Sequence, residues 1–265
     1  MLKALFLDMD ETLCDTVAAN LKAQAKMAQK MATLYSGLTS PQAVAKAYIH
    51  GIYRQWTDQQ QHRYLPIIEQ QSEQAFRIQL LIDLLKQQGI EAVSESTAQQ
   101  LQHQFDKDRI DAFDFYPGMT EFLAEARKQF TLVVITNGPE FSQIPKVERI
   151  NLKNHVDHII IGGQEPEQKP ARSIFDKALA LAQCKPDEAL HIGDSLASDI
   201  AGANNCGIRS VWIQHQQPLD AELGINPHHT LQHPSEIPQL IRDLQYNKAV
   251  NNIATKPNSS IKQNR

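Results

Sequence analysis

Cysteine is scarce in this chain of 265 residues: Cys14, Cys184 and Cys206 are an odd number with no CxxC spacing. That argues against a disulfide framework or a cysteine-based zinc site, and the three read as small core residues. Long apolar runs are missing too. No stretch approaches the roughly 18 uninterrupted apolar residues of a membrane-spanning helix, and the first apolar stretch is cut at Asp8, too early for the apolar region of a signal peptide. Nor is there a strong excess of one charge. Lys and Arg number 26 against 30 Asp and Glu, a formal net charge of −4, and no basic run exceeds a pair. A nucleic-acid polymer or an anionic membrane would call for a basic footprint. The sequence therefore predicts a soluble, cytoplasmic protein whose partners are small molecules. It contains no internal repeat, and its oligomeric state is not legible.

What is present is an alternation. Five short apolar or β-branched runs, at residues 3–7, 131–135, 157–161, 189–192 and 208–213, read as strands. From the second onward, helical patterns lie between them at 119–128, 141–149 with an interruption at Pro145, 172–183, and 198–205 closed by Gly207. Strands and helices alternating in this way predict an α/β fold: a doubly wound, Rossmann-like parallel sheet with helices on both faces. The gap between the first two strands is far longer than one crossover needs and is helical throughout, which predicts an inserted all-helical cap domain. Its helices are expected at 17–32, from Ser40-Pro41 toward Trp56, at 67–88 opened by Leu65-Pro66 and stopped by Gly89, and at 96–105. The expected division is a core of residues 1–15 and 113–246, a cap of 16–112, and a polar, frayed tail over 247–265.

Ligands of doubly wound sheets bind in the crevice past the carboxyl ends of the strands. Four strand ends carry polar groups: "FLDMDET" with Asp8 and Asp10, "VVITNG" with Thr136 and Asn137, "EQKPARS" with Lys169, and "LHIGDSLASD" with Asp194 and Asp199. Each alone has a structural explanation. Asp10, Glu11 and Thr12 suit a helix N-terminus, Thr136-Asn137-Gly138 is a turn tripeptide, Lys169 suits a solvated loop, Asp194 an N-cap and Asp199 a surface position. Together they complete one site. Asp8 and Asp194 crowded in a crevice repel unless a hard divalent cation lies between them, and Mg²⁺ takes one or two carboxylates plus water and phosphate oxygens. Thr136, nearby backbone N–H groups and Lys169 would then face the remaining phosphoryl oxygens. Asp8 is the candidate nucleophile and Asp10 the candidate general acid and base.

These four stretches, in this order, resemble the haloacid dehalogenase superfamily in its phosphatase branch, with a helical cap inserted after the first strand. The resemblance covers residues 1–245. It implies Mg²⁺-dependent hydrolysis of a small phosphate ester, such as a nucleoside monophosphate or sugar phosphate, through an aspartyl-phosphate on Asp8. It further implies Asp10 as acid and base, Thr136, Asn137 and Lys169 at the phosphate, and Asp8, Asp194 and the Asp10 backbone carbonyl at the metal. Asp199 would support the metal shell or orient Lys169. Asp10 favours phosphatase over dehalogenase, because an alkoxide leaving group needs a proton. Glu11 stands where glycine is commoner in the family and is expected to cap the following helix or contact the cap. "DMDET" and "ITNGPEFSQIPKVERI" are most similar to the branch of pyrimidine 5'-nucleotidases and N-acylneuraminate-9-phosphatase. The alternatives are a phosphomutase of the same superfamily, or a receiver-like or non-catalytic phosphate-binding protein. Tyr53, Arg54, Trp56, Arg63 and Tyr64 form a polar-aromatic cluster that would either stack a substrate's base or bind its carboxylate, or simply pack.

Overall fold

The computed structural model describes residues 1–216, 218 and 224–254, with the backbone alone over 247–254. In chain order the main elements are β1 (Ala4–Leu7), α1 (Thr16–Leu34), α2 (Pro41–Ile52), α3 (Asp58–Gln70), α4 (Glu73–Gln87), α5 (Glu95–Ala112), α6 (Met119–Ala126) and β2 (Thr131–Thr136). They continue with α7 (Glu140–Arg149), β3 (His158–Ile161), α8 (Arg172–Ala182), β4 (Ala189–Gly193), α9 (Ala201–Asn205), β5 (Arg209–Ile213), β6 (His229–Leu231) and α10 (Ile237–Ala254). Among the described residues no helix is long and apolar enough to cross a membrane.

The chain forms two compact units, one of Met1–Leu13, Phe115–Glu140 and Lys153–Arg265, the other of Cys14–Asp114 and Phe141–Leu152. The first is a six-stranded, wholly parallel sheet in the order β3-β2-β1-β4-β5-β6. Parallel strands covered on both faces are apolar throughout, and "ALFL" of β1 and "ALHIG" of β4 are buried at every position. On one face Phe6, Val133 and Ile135 pack against Ile174, Phe175 and Ala178 of α8. The first strand in sequence is central in space, so the order reverses at β1, the kind of switch point past which doubly wound sheets bind their ligands. In register, Leu7 lies beside Val134 and beside Ile192. The next residues along β1, β2 and β4 are therefore neighbours by construction.

All five expected strands are present. The sixth, β6, has only three residues, none of them fully buried, and so carries no apolar run to betray it. Helix α10 continues to Ala254, into the stretch expected to fray, and the rest of that expected tail, 255–265, lies outside the described residues.

The second unit is built from α1 to α5, with Tyr48, Phe76, Leu80, Leu81, Leu85 and Phe105 at its centre. Here the expected helix at 67–88 proves to be two helices. Thr57 and Gln60 form a reciprocal capping box that opens α3 well before Pro66, and the Ser72 hydroxyl accepts from the Ala75 N–H to start α4. Pro66 is carried inside α3 on its exposed side, where water can satisfy the carbonyl it leaves without a donor. Pro145 likewise lies inside a continuous α7 and does not interrupt it. The segment Phe141–Leu152 packs with this helical unit, tied by Arg109 to Ser142 at 3.2 Å, by Arg149 to the Asp111 carbonyl at 3.0 Å, and by the Arg77 guanidinium 5.0 Å above the Phe141 ring.

Because Ser72 alone separates α3 from α4 by side-chain capping, Ser72→Ala is expected to lower the unfolding free energy by about 1 kcal/mol. Urea unfolding followed by circular dichroism would read this as a lower midpoint at unchanged slope, and an unshifted midpoint would refute it.

Candidate active site

Past the carboxyl end of β1, the Asp8 N–H still donates to the Ile192 carbonyl of β4 at 2.9 Å, so the sheet itself aims this residue. Its buried carboxylate accepts from the Lys169 ammonium at 2.6 Å. The same ammonium donates to Asp199 Oδ1 at 2.6 Å and to the Ile135 carbonyl of β2 at 2.7 Å. An ammonium has three hydrogens, and these three acceptors use them all. Lys169 is held in turn by Asn137, whose Oδ1 accepts from the Lys169 N–H at 2.9 Å while its Nδ2 donates to the Lys169 carbonyl at 2.8 Å. The Asn137 carboxamide, expected at the phosphate, is thus engaged with the Lys169 backbone. Thr136, at the end of β2, is buried at 1 % exposure.

Asp199 was expected as a surface acid if it had no function. It is buried, and Gly193 explains how it gets there: a Cβ on Gly193 would sit 2.2 Å from the Asp199 carboxyl carbon. Its two oxygens accept from Lys169, from His191 Nε2 at 3.0 Å and from the Ser195 N–H at 3.0 Å. Burial works against this carboxylate, but Lys169 and His191 outweigh it and hold its pKa well below the usual range. Burial also lowers the His191 pKa, so the imidazole is neutral and carries its proton on Nε2, facing an acceptor-only carboxylate. His191 is the member of the site that pattern reading missed. Its one signal is a histidine inside the buried strand "ALHIG", where a polar side chain needs a partner. Trp212 of β5 was missed as well: its indole N–H donates to the Asp194 carbonyl at 2.8 Å, a contact that no local pattern announces.

Asp8, Asp194 and Asp199 bring one carboxylate oxygen each within 4.8 Å of one another, the candidate metal centre among the described residues. Burial, together with the charges of Asp199 and Asp10, raises the Asp8 pKa to about 7 against the opposing pull of Lys169. Burial, Asp8 and Asp199 raise Asp194 to about 9. Asp199 has its partners already, whereas Asp8 and Asp194 are two crowded carboxyls that resist ionising together. That donor set fits a hard divalent cation, which would relieve their repulsion.

Glu11 does not cap the following helix. The N-cap of α1 is Asp15, whose carboxylate accepts from the Ala18 N–H at 2.7 Å. Glu11 instead accepts from the Tyr116 hydroxyl at 2.9 Å and adopts a left-handed backbone, φ +56°. Glycine takes that conformation most easily, so Glu11 holds it at a cost. The polar-aromatic cluster of the helical unit also resolves. Trp56, Tyr64 and Phe76 rings pack on one another at 5.2–5.8 Å, Arg63 pairs with Asp83, and Arg54 with Glu73, so these groups pack within their own unit.

The fold is a doubly wound sheet with an inserted helical unit, and the switch point of the sheet gathers acids and a buried lysine. The chain belongs to the haloacid dehalogenase-like hydrolases, whose family model matches residues 2–207. It is similar to N-acylneuraminate-9-phosphatase of Mus musculus, 33 % identical over 123 residues that make up 46 % of this chain and 50 % of that protein. It is also similar to pyrimidine 5'-nucleotidase YjjG of Escherichia coli (strain K12), 33 % identical over 127 residues, 47 % of this chain and 56 % of that one. Each match thus spans about half of the relative's length. A solved 2-haloacid dehalogenase from Pseudomonas syringae pv. Tomato DC3000 shares the fold, with a TM-score of 0.62 and 24 % identity over 92 % of this chain and all of that one.

The two raised carboxyls bind protons more tightly in the folded chain than in the unfolded one. With no cation present, their contribution to stability falls as pH rises from the ordinary aspartate value of 3.8 toward about 9. Asp199 behaves oppositely: its contribution is present above 3.8 and is lost on acidification. A divalent cation competes with those protons, so its addition to chelator-treated protein is expected to raise the melting temperature more at about pH 8 than at about pH 5. A rise of equal size at both would refute the assignment of Asp8 and Asp194 as its ligands.

Proposed function

We propose that this protein is a Mg²⁺-dependent phosphatase, acting in the cytoplasm on a small phosphorylated metabolite through an aspartyl-phosphate. The observation that carries the reading is the Lys169 ammonium bridging Asp8 and Asp199, each at 2.6 Å, in a buried crevice at the sheet's switch point. Such a lysine opposes the burial that raises the pKa of the carboxylate nucleophile and meets an incoming phosphoryl group with positive charge.

Asp8 attacks phosphorus, a bond forms between its carboxylate oxygen and phosphorus, and the bond to the leaving oxygen breaks. Asp10 gives that oxygen its proton. Asp10 then takes a proton from water, the water oxygen attacks phosphorus, and the bond to Asp8 breaks to release inorganic phosphate. Lys169 and the backbone N–H groups beside Thr136 face the phosphoryl oxygens as charge accumulates there. Asp8, Asp194 and the Asp10 carbonyl would hold Mg²⁺, which when bound neutralises the crowded carboxylates and the phosphoryl oxygens. Asn137 and His191 serve by fixing Lys169 and Asp199.

The substrate class we favour is a phosphorylated sugar acid or a nucleoside monophosphate, by analogy with the two phosphatase relatives named above. The test is release of inorganic phosphate from a panel of nucleoside monophosphates, sugar phosphates including a sialic acid 9-phosphate, and an aryl phosphate, with Mg²⁺ and with chelator. Metal-dependent release with one strong preference is expected, and Asp8→Asn is expected to lower kcat by at least about 10³-fold while the variant keeps the far-UV circular dichroism of the folded chain. Near-normal turnover by Asp8→Asn would overturn the mechanism. Isomerised product without free phosphate would favour a mutase.

A further inference from the structure

Strand β1 ends at Leu7, so the sheet positions Asp8 directly but Asp10 only through the turn that follows. That turn is closed at its base by the Leu13 N–H donating to the Met9 carbonyl at 3.0 Å, and Tyr116 N–H donates to the Leu13 carbonyl at 2.8 Å. Glu11 is the residue next to Asp10 and is strained, with φ +56°. Two long-range contacts hold it there. The Tyr116 hydroxyl donates to the Glu11 carboxylate at 2.9 Å, and His215 Nε2 meets the Glu11 carbonyl at 2.5 Å. A carbonyl only accepts, so that nitrogen is the donor.

The two holding groups are themselves braced. The Tyr116 ring stacks on His215 at 6.1 Å and 27°, and His233 meets the edge of Tyr116 at 5.3 Å. His215 and Gln216 also lie in the left-handed region, φ +47° and +63°, so the chain after β5 is bent sharply to deliver this imidazole. Three non-glycine residues in a sparsely populated conformation around one turn indicate geometry maintained against local preference. A general acid must lie within hydrogen-bond reach of the oxygen it protonates, and a displacement of about 1 Å is costly.

We propose that His215 and Tyr116 are positioning residues for Asp10, clamping Glu11 by its carbonyl and its carboxylate so that the neighbouring Asp10 carboxyl stays directed at the leaving-group oxygen. This rests on the reading of Asp10 as acid and base. In the first step, phosphoryl transfer to Asp8, loss of the clamp matters where the leaving group needs a proton and is silent where it does not, whereas the second step, in which Asp10 takes a proton from water, is common to both kinds of ester.

The test is steady-state kinetics of the full chain with Mg²⁺, comparing an alkyl phosphate that the protein turns over with p-nitrophenyl phosphate, whose leaving group departs without a proton. His215→Ala is expected to lower kcat/KM, which reports the first phosphoryl transfer, about tenfold on the alkyl ester and less than about twofold on the aryl ester. His215→Gln, which returns an N–H donor near the Nε2 position, is expected to recover most of the loss. Tyr116→Phe removes one hydroxyl and should show the same selectivity to a smaller degree, serving also if His215→Ala folds poorly. Asp10→Asn is measured alongside and should show the strongest selectivity. Equal losses on both esters in His215→Ala and Tyr116→Phe, with Asp10→Asn still selective, would overturn the clamp alone. A non-selective Asp10→Asn would overturn the acid assignment itself, and the clamp with it.

Discussion

The Lys169 ammonium is the interaction on which the sheet unit's crevice depends. It lies among three acceptors drawn from separate parts of the chain, the Asp8 carboxylate after β1, the Ile135 carbonyl of β2 and the Asp199 carboxylate after β4. Burying one cation and two anions is unfavourable unless every member is matched. The matching extends one layer further, to Asn137 on the Lys169 backbone and to His191 and the Ser195 N–H on Asp199. Removing a member leaves a buried polar or charged group short of a partner, and the loss falls on the neighbours as much as on the group removed.

The sheet makes this economical. Strand β1 lies between β2 and β4 in parallel register, so three strand ends deliver their next residues to one place without any long loop having to fold over them. Lys169 then needs only to reach across from the segment before α8. The electrostatic result is asymmetric. Asp199 has three donors and stays ionised, whereas burial and neighbouring carboxylates hold Asp8 and Asp194 at raised pKa values. One carboxylate is thus structural in its charge, and the other two are left poised for a cation or an electrophile.

What could be read from the sequence follows from how local each signal is. The five main strands announced themselves because a buried parallel strand has to be apolar along its whole length, and Asp8, Thr136 and Asp194 were found because they terminate such runs. Lys169 was legible only as part of the set. His191 was not recognised because its reason for being in a core strand is Asp199, eight residues away and brought back by a turn that Gly193 permits. The helical boundaries failed where two local rules competed: Pro66 looked like a helix start, but the capping box at Thr57 and Gln60 acts earlier, and an exposed proline can be carried inside a helix. The packing of Phe141–Leu152 with the helical unit depends on Arg77, Arg109 and Arg149, contacts that no periodicity encodes.

The same limit governs how the helical unit's side chains should be judged. Tyr53, Arg54, Trp56, Arg63 and Tyr64 lie close in sequence and have the chemistry of a ligand site, but chemistry alone does not make one. Trp56 donates its indole N–H to the Gly51 carbonyl at 2.7 Å, Tyr64 is buried at 2 % exposure against Phe76, and its hydroxyl shares Asp83 with Arg63. Tyr53 accepts from Asn20 at 2.9 Å. Most of these polar groups are answered from within the unit, and the Trp56 and Tyr64 rings pack in or against its core, while Tyr53 is 49 % exposed. A cluster whose hydrogen-bonding capacity is already met gains little from a ligand, because binding would exchange one set of partners for another. Glu11 shows the contrary pattern: a strained backbone, two contacts from distant segments, and a place one residue from the proposed acid. Strain held by long-range contacts beside the proposed reactive groups therefore singles out Glu11, where the composition of a cluster does not single out a site.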